Sequence, residues 1–370
     1  SLMKYNPLGK SDITVPALTV GCWAFGGGTY WGAQDQRDVD AVVHAALDLG
    51  VNCFDTAEVY NAGASETALG AALKGRRDKA VVISKIAPSN CADVRAHCTA
   101  SLRRLGTDYL DVYMLHWPIN KLALEHFTKD AGTLSAPPTI ASAYAQLDAL
   151  KKEGLIRSIG MSNFGVSQMA EVVATGVRAD VNEITYNVVS RAIEPEIAPY
   201  ATAHDIAIIG SMGLLQGLLT GKFATADDVP PPQAHSRHFA QWRGDWKTWV
   251  ERHPGHPRNA TAGTTNESRH GEDGAEAETF AAVDAMRRLA ADAGITMTQL
   301  ALAWILKKPF MASTLVGSRN IAQLRENIAA CETEISDDLA AAVDAASAPV
   351  LAKLGANADY YEQGTKSRIF

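Results

Sequence analysis

Hydrophobic residues along this chain follow two alternating rhythms. Short apolar runs rich in β-branched residues occur at positions 17–20, 51–54, 80–84, 109–115, 156–161, 181–186, 206–210 and 313–316. Between them the apolar positions recur with the spacing of one helix face. Within 38–49 they are Val39, Val42, Val43, Ala46 and Leu47, and Gly50 follows as a stop. The scheme repeats at Ser65, Ala68, Leu69 and Leu73 before Gly75, at 94–105 before Gly106, at 140–152 before Gly154, and at 321–330. Strands separated by helical sequence pair in parallel through right-handed crossovers. Eight such units predict an α/β fold, a closed (β/α)8 TIM barrel; an open doubly wound sheet is the other arrangement the pattern admits.

Two segments break the rhythm. Residues 120–138 enlarge the loop after the fourth strand. Residues 224–275 interrupt the unit after the seventh with a stretch rich in Pro, Gly, His and Trp, "PPPQAHSRHFAQWRGDWKTWVERHPGH". Loops that follow strands lie on the face where barrel active sites sit, so both enlargements are expected to border the site. The chain from 1 to 370 then reads as one domain, with an atypical insert at about 224–278 and a C-terminal helix and tail at about 331–370.

The strand ends carry the chemistry. "NCF" is followed by Asp55, "VVIS" by Lys85 and "VYML" by His116, and Tyr60 lies on the loop that Asp55 opens. Singly, each has an ordinary role as a strand-end or loop residue. Together they put an acid, a base, an imidazole and a phenol at one rim. A phenol with a pKa of about 10 is a poor proton donor and acceptor near neutrality, and a neighbouring ammonium lowers that value. Lys85 can serve, provided Asp55 orients it and offsets the cost of burying it. His116 can aim a ring nitrogen at a carbonyl oxygen shared with Tyr60. Addition to that carbonyl needs a hydride donor.

Composition narrows the partner. The formal net charge of −7 leaves no basic face for nucleic acid or anionic lipid, and no apolar run reaches transmembrane length, so neither is expected. Five scattered cysteines, Cys22, Cys53, Cys91, Cys98 and Cys331, read as reduced core thiols, and with no leader-like N-terminus the expected location is cytoplasmic. Ser1 and Leu2 before Met3 read as a cloning remnant. A small carbonyl or alcohol is the expected partner.

The usual nucleotide loops are missing. Gly26-Gly27-Gly28 is not continued by a glycine three later, where Trp31 stands, and "GLLTGKF" has Gln216 and Phe223 where a phosphate loop needs Gly and Ser or Thr. Ser162-Asn163 follows the fifth strand, and Gly317-Ser318-Arg319 leads into the helix at Ile321, where a glycine and an arginine at a helix N-terminus can seat a phosphate.

With "GCWAFGGG", "NCFDTAEVY", "VVISK", "SLRRLGTDYLDVYMLHWP", "IRSIGMSNF", "GLLTGK" and "VGSRNIAQLRENI" in view, the chain resembles the aldo-keto reductases from about Val15 to Ala330. The resemblance implies a (β/α)8 barrel holding NADP(H) or NAD(H), with Asp55, Tyr60, Lys85 and His116 as the catalytic four. It implies carboxamide contacts from Ser162 and Asn163, with Trp23, Glu183 and Ser211 beside the nicotinamide. Gly213, Leu214, Gln216, Gly217 and Lys222 would run along the pyrophosphate, and Gly317, Ser318, Arg319, Gln323, Glu326 and Asn327 would seat the adenosine half. Trp31 and Trp117 would line the substrate pocket. A guanidinium at Arg319 favours the 2'-phosphate of NADP(H).

Two positions depart from the family pattern. Glu183 stands where a glutamine is usual and Ser211 where an aromatic ring usually stacks. A carboxylate beside the ring favours its oxidised, positively charged form, which makes a polyol or sugar oxidation, or a redox-neutral sugar conversion with internal cofactor recycling, an alternative to carbonyl reduction. A protonated or averted Glu183, with Trp23 or Trp31 covering the ring, would restore the ordinary chemistry. A cofactor-binding regulatory subunit with vestigial turnover is a further alternative.

The insert holds His235, His238, His253, His256 and His270, two pairs of them at the i, i+3 spacing that zinc ligands use. The expectation is a solvated loop with no metal. Trp242, Trp246 and Trp249 are expected to form a lid with flat faces for sugar rings, or a contact between copies in a homo-oligomer.

Overall fold

The computed structural model describes residues 2–28, 31–263 and 268–370; residue 1, residues 29–30 and residues 264–267 of the insert lie outside the description. Ten strands are present among the described residues: β1 Tyr5–Pro7, β2 Thr14–Pro16, β3 Leu18–Gly21, β4 Cys53–Asp55, β5 Val81–Ile86, β6 Leu110–Leu115, β7 Ile156–Ser162, β8 Val181–Thr185, β9 Ala207–Ser211 and β10 Met311–Gly317. The last eight close a barrel in which every neighbouring pair is parallel, β10 beside β3 completing the ring. The open doubly wound alternative is thereby excluded.

Helices form where the spacing places them. Gln36–Asp48 starts at Asp35, whose side chain accepts from Arg37 N, and packs Val39, Val42, Val43 and Ala46 inward. Val94–Leu105 is capped by Asp93 and ends at Gly106, which takes the left-handed conformation (φ 64°) that other residues resist. Two helices, Glu276–Ala293 and Met297–Leu306, together occupy the unit before β10, and Asp337–Leu354 packs against the first of them. Among the described residues no single helix is long and apolar enough to cross a membrane.

The antiparallel hairpin β1–β2 was not foreseen. Its strands are three residues each, too short to show an alternation. Leu8, Ile13 and Val15 of this segment join Cys53, Val81, Ile83, Val112, Met114, Val181, Ile209 and Ala312 in a small core cluster inside the barrel. The larger cluster fills the shell between strands and helices.

Candidate active site

Strand side chains alternate between the barrel interior and the surrounding helices. Cys53, Val81, Ile83, Val112, Met114 and Val181 belong to the interior cluster. Two residues beyond Cys53 is Asp55, two beyond Ile83 is Lys85, two beyond Met114 is His116, and two beyond Val181 is Glu183. The same parity that fills the barrel therefore turns four polar side chains toward its axis, on β4, β5 and β8 and one residue past β6.

Lys85 is the hub. Its Nζ lies 2.6 Å from Asp55 Oδ1, donates to Thr56 O at 3.0 Å and stands 3.3 Å from Glu183 Oε1, with the side chain wholly out of solvent. Burial works against the ammonium, but Asp55 and then Glu183 outweigh it and hold the group charged well above the ordinary lysine range. Asp55 thus has the cation that its own segment lacks.

Tyr60 faces this ammonium, with Nζ 5.2 Å from its ring centroid, and meets His116 edge-on at 5.5 Å. Lys85 does pull the phenol down, but burial is the larger influence and pushes it up, and Asp55 and Glu183 add to the rise. The expected lowering is therefore overridden, chiefly by burial. The phenol is held in its protonated form. His116 is driven well below the ordinary imidazole range by burial and by Lys85, so its ring is neutral.

Glu183 does not hang free. Besides Lys85 it interacts with the Asp55 side chain, and burial together with Asp55 raises its carboxyl well above the usual range. Both influences favour the neutral form of this carboxyl. Ser162 and Asn163 are tied to the same strand: Ser162 Oγ donates to Glu183 O at 3.0 Å, Asn163 N to the same oxygen at 2.9 Å, and Asn163 Nδ2 to His116 O at 3.0 Å. Ser211 sits half-buried at the end of β9, 3.5 Å from Thr185 Oγ1.

The segment after β9 is an unusual turn in which Met212, Leu215 and Gln216 all have positive φ, followed by Gly217 at 95°. Leu214 O accepts from the amides of Gly217 and Leu219. A methyl group at Gly213 would meet Thr314 Oγ1 at 2.7 Å, and Gly217 holds a φ of 95° that other residues resist, so both positions favour glycine. Lys222 lies against this turn, its ammonium lowered by burial and by Arg258, while Gln216 Nε2 is a buried donor with no acceptor. At the far end Gln323 Oε1 accepts from Arg319 N at 2.9 Å, Asn327 Nδ2 donates to Ser318 Oγ at 3.0 Å, and Asn320 caps helix Ile321–Cys331. Gly317, Arg319, Gln323 and Glu326 are exposed there. A buried unmatched donor, a half-buried cation and a capped helix N-terminus in one line fit an extended phosphate-bearing ligand.

A model of the Aldo/keto reductase family matches residues 17–348. The chain belongs to this family. It is 31% identical to the NADH-specific methylglyoxal reductase of Escherichia coli, over 90% of this chain and 95% of that one. The glycerol dehydrogenase of Gluconobacter oxydans superposes with a TM-score of 0.71 at 26% identity, covering 95% of this chain and 96% of that one. An aldo/keto reductase of Klebsiella pneumoniae in complex with NADP and acetate gives 0.61 at 25% identity, covering 90% and 91%.

In this aldo/keto reductase the mouth of the site is walled by three segments, one of which sequence reading did not associate with it. Trp23 and Trp31 meet edge-on at 5.2 Å, and Trp23 is tilted over Tyr60 at 6.2 Å. Phe127, from the loop after β6, stands 6.0 Å from His116. The unforeseen segment is the C-terminal tail: Arg368, paired with Asp359 through Nε and Nη2 at 2.8 Å each, lays its guanidinium 3.8 Å above the Trp117 ring. Tyr361 donates to Met212 Sδ beside β9. Arg368 lies outside the 15–330 stretch of resemblance, and only its pairing with Asp359, nine residues back, could have hinted at a folded tail.

Among the described residues of the insert, 229–240 are largely buried and 251–260 are exposed or half-buried, so it is not a solvated loop throughout. His238 is buried, with Nε2 2.8 Å from Val189 O and Nδ1 3.0 Å from Ser236 Oγ, and His270 Nε2 lies 3.1 Å from Ser236 O. His253 stacks on Trp249 at 4.3 Å and His256 meets it edge-on. Trp246 and Trp249 are buried against each other, so they offer no faces to sugars; Trp242 alone is exposed, with Arg243 and Arg252 each 4.0 Å from its ring. Ala226, Val229, Ala234 and Phe239 of the insert join the main core of the barrel shell.

Proposed function

We propose that this chain is a nicotinamide-dependent oxidoreductase that interconverts a carbonyl and an alcohol on a small substrate, with Tyr60 as general acid and base. The observation that carries the reading is the single buried ammonium of Lys85, anchored 2.6 Å from Asp55 and facing Tyr60. When bound along the residues from Ser211 to Asn327, NADP(H) or NAD(H) supplies the hydride. Tyr60 gives its proton to the carbonyl oxygen, Lys85 stabilises the phenolate as it forms, and Asp55 keeps the ammonium in place. The neutral His116 ring beside Tyr60 polarises the same oxygen without adding a charge. Trp23, tilted over Tyr60 at 6.2 Å, lies beside the reacting oxygen's place.

The E. coli relative is named for methylglyoxal and NADH, and the Klebsiella neighbour holds NADP. A small aldehyde or ketone is the substrate class these names support, and Arg319 at the helix N-terminus supports NADP(H). The test follows nicotinamide absorbance with both cofactors against α-oxoaldehydes, ketones and keto sugars, then in reverse with glycerol and other polyols. Turnover favouring reduction with NADPH is expected. Tight cofactor binding with no turnover in either direction would instead favour a regulatory subunit, and polyol oxidation without carbonyl reduction would favour the sugar reading.

A further inference from the structure

The Asp55–Lys85–Glu183 group holds one more acid than its cation can match. Both carboxyls and the ammonium are buried, and the resting His116 beside them is neutral. The other titratable groups that face Glu183 are the Tyr60 phenol and the Cys53 thiol, each kept protonated by burial, with the Cys22 thiol next to Asp55 in the same state. With two carboxylates the group would carry a net negative charge out of water, which is costly. With one proton on the acids it is neutral.

Hydrogen-bond accounting gives the same answer. Asp55 Oδ1 and Glu183 Oε1 are directed at Lys85 Nζ. The remaining oxygens, Asp55 Oδ2 and Glu183 Oε2, are buried with no donor, and the two side chains touch. Two acceptors facing each other with no proton are doubly unfavourable; a single proton turns one into a donor and satisfies both.

We propose that Glu183 is a positioning residue that keeps this proton: a neutral carboxylic acid bonded to Asp55, which through Lys85 holds a proton in reserve for Tyr60. The proposal rests on the carbonyl–alcohol reading and deepens it. After Tyr60 has given its proton to the substrate oxygen, Lys85 passes one of its N–H protons to the phenolate oxygen and recovers one from the carboxyl pair. One O–H bond breaks, one forms, and the electron pair of the broken bond stays on the carboxyl as carboxylate. No oxidant or reductant is consumed, and solvent refills the store when the site opens. A glutamine at this position reproduces the hydrogen bonds of the neutral acid, its NH2 donating to Asp55 and its carbonyl accepting from Lys85, but has no proton to yield. Glu183 therefore differs from glutamine in function and not in shape.

Infrared difference spectroscopy on the cofactor-free protein, grown with isotope-labelled glutamate, tests the proton directly. The wild type is expected to show a protonated-carboxyl band at neutral pH that is missing in Glu183→Gln. In parallel, wild-type carbonyl reduction should fall with rising pH as that band titrates, about tenfold per pH unit beyond its midpoint, while in Glu183→Gln this limb moves to higher pH. Glu183→Asp should restore a pH-dependent limb, and it serves as the second variant if the glutamine form folds poorly. Absence of a labelled acid band at neutral pH overturns the proposal, and so do superimposable pH profiles for wild type and Glu183→Gln. If no form reduces any carbonyl, the functional reading falls instead, and the band alone still decides where the proton is.

Discussion

Lys85 Nζ lies 2.6 Å from Asp55 Oδ1 with neither side chain reaching solvent. Breaking such a pair from one side strands the other charge, at a cost of about 3–5 kcal/mol. The two sides are unequal here, because Glu183 is a second carboxyl 3.3 Å from the same ammonium. Lys85→Met, which strands Asp55, is expected to destabilise by about 3–5 kcal/mol, and Asp55→Asn by clearly less, because Glu183 can ionise in its place. Urea unfolding of both variants checks this; equal losses would mean that Glu183 gives Lys85 no support.

Tyr60 is the only phenol placed against both Lys85 and His116 among the described residues. Tyr60→Phe keeps the ring and its packing and deletes the proton. Carbonyl reduction should drop by about 10²–10⁴-fold, while cofactor affinity, followed by quenching of tryptophan fluorescence, stays within about twofold. An equal loss in affinity would assign Tyr60 to binding.

Much of this site was legible in sequence because it depends on parity alone. Cys53 and Asp55, or Ile83 and Lys85, share a strand face whatever the rest of the chain does, so apolar runs ending on polar residues mark the rim. The Lys85–Glu183 contact was not legible, since it crosses the barrel between strands that are not neighbours, β5 and β8. The tail was hidden for a related reason: Arg368 acquires its meaning only where Asp359 and Trp117 converge on it. The insert misled because its histidines read as a solvated loop and its tryptophans as sugar platforms, yet His238, His270, Trp246 and Trp249 are buried.

Stability should record the proton on Glu183. Its carboxyl is raised in the folded state by burial and by Asp55, whereas in the unfolded chain it titrates near its ordinary value of about 4.3. The folded protein therefore binds the extra proton. The stability this group contributes is fully present below about pH 4.3 and is lost as pH rises toward the folded value, by up to about 1.4 kcal/mol per pH unit. Glu183→Gln has nothing to titrate, so its melting temperature should gain on the wild type as pH is raised above about 4.3. A gap that stays flat with pH would show that Glu183 is ionised when folded.

His238 makes the opposite prediction. Burial lowers its imidazole to about 4, and the neutral ring bridges Ser236 of the insert to Val189 and Ser190 in the loop after β8. A histidine lowered on folding gives stability that is complete above about pH 6.5 and lost as pH falls through the folded value. Limited proteolysis within 224–275 should accelerate as the pH is lowered from neutrality toward 4, ahead of cleavage in the barrel. His238→Gln, which retains a donor and an acceptor but cannot charge, should remove most of that acceleration.

The tail sets the last test. Asp359 accepts from Arg368 N, Nε and Nη2, at 3.0, 2.8 and 2.8 Å, and both side chains are buried. Arg368→Ala removes the only guanidinium seen to pair with Asp359, leaves a carboxylate buried without its partner, and uncovers the Trp117 ring. Other contacts hold the rest of the tail: Asn120 Nδ2 and Gln168 Nε2 donate to Arg368 O at 2.9 Å, Phe370 N donates to Gln168 Oε1 at 3.0 Å, Ala192 N donates to Tyr360 Oη at 2.9 Å, and Tyr361 reaches Met212. With those anchors kept, the least costly response is a local loosening around Arg368, which opens the wall at Trp117 and leaves Asp55, Tyr60, Lys85 and His116 in place. KM for a small carbonyl should rise by about 10-fold or more with kcat changed by less than about threefold, as expected when binding is lost and the transition-state contacts are kept. Arg368→Lys should rescue little, since an ammonium cannot reproduce the two-pronged contact with Asp359 or the flat contact with Trp117. A fall in kcat at constant KM would place the tail in the chemical step, contrary to its position at the mouth.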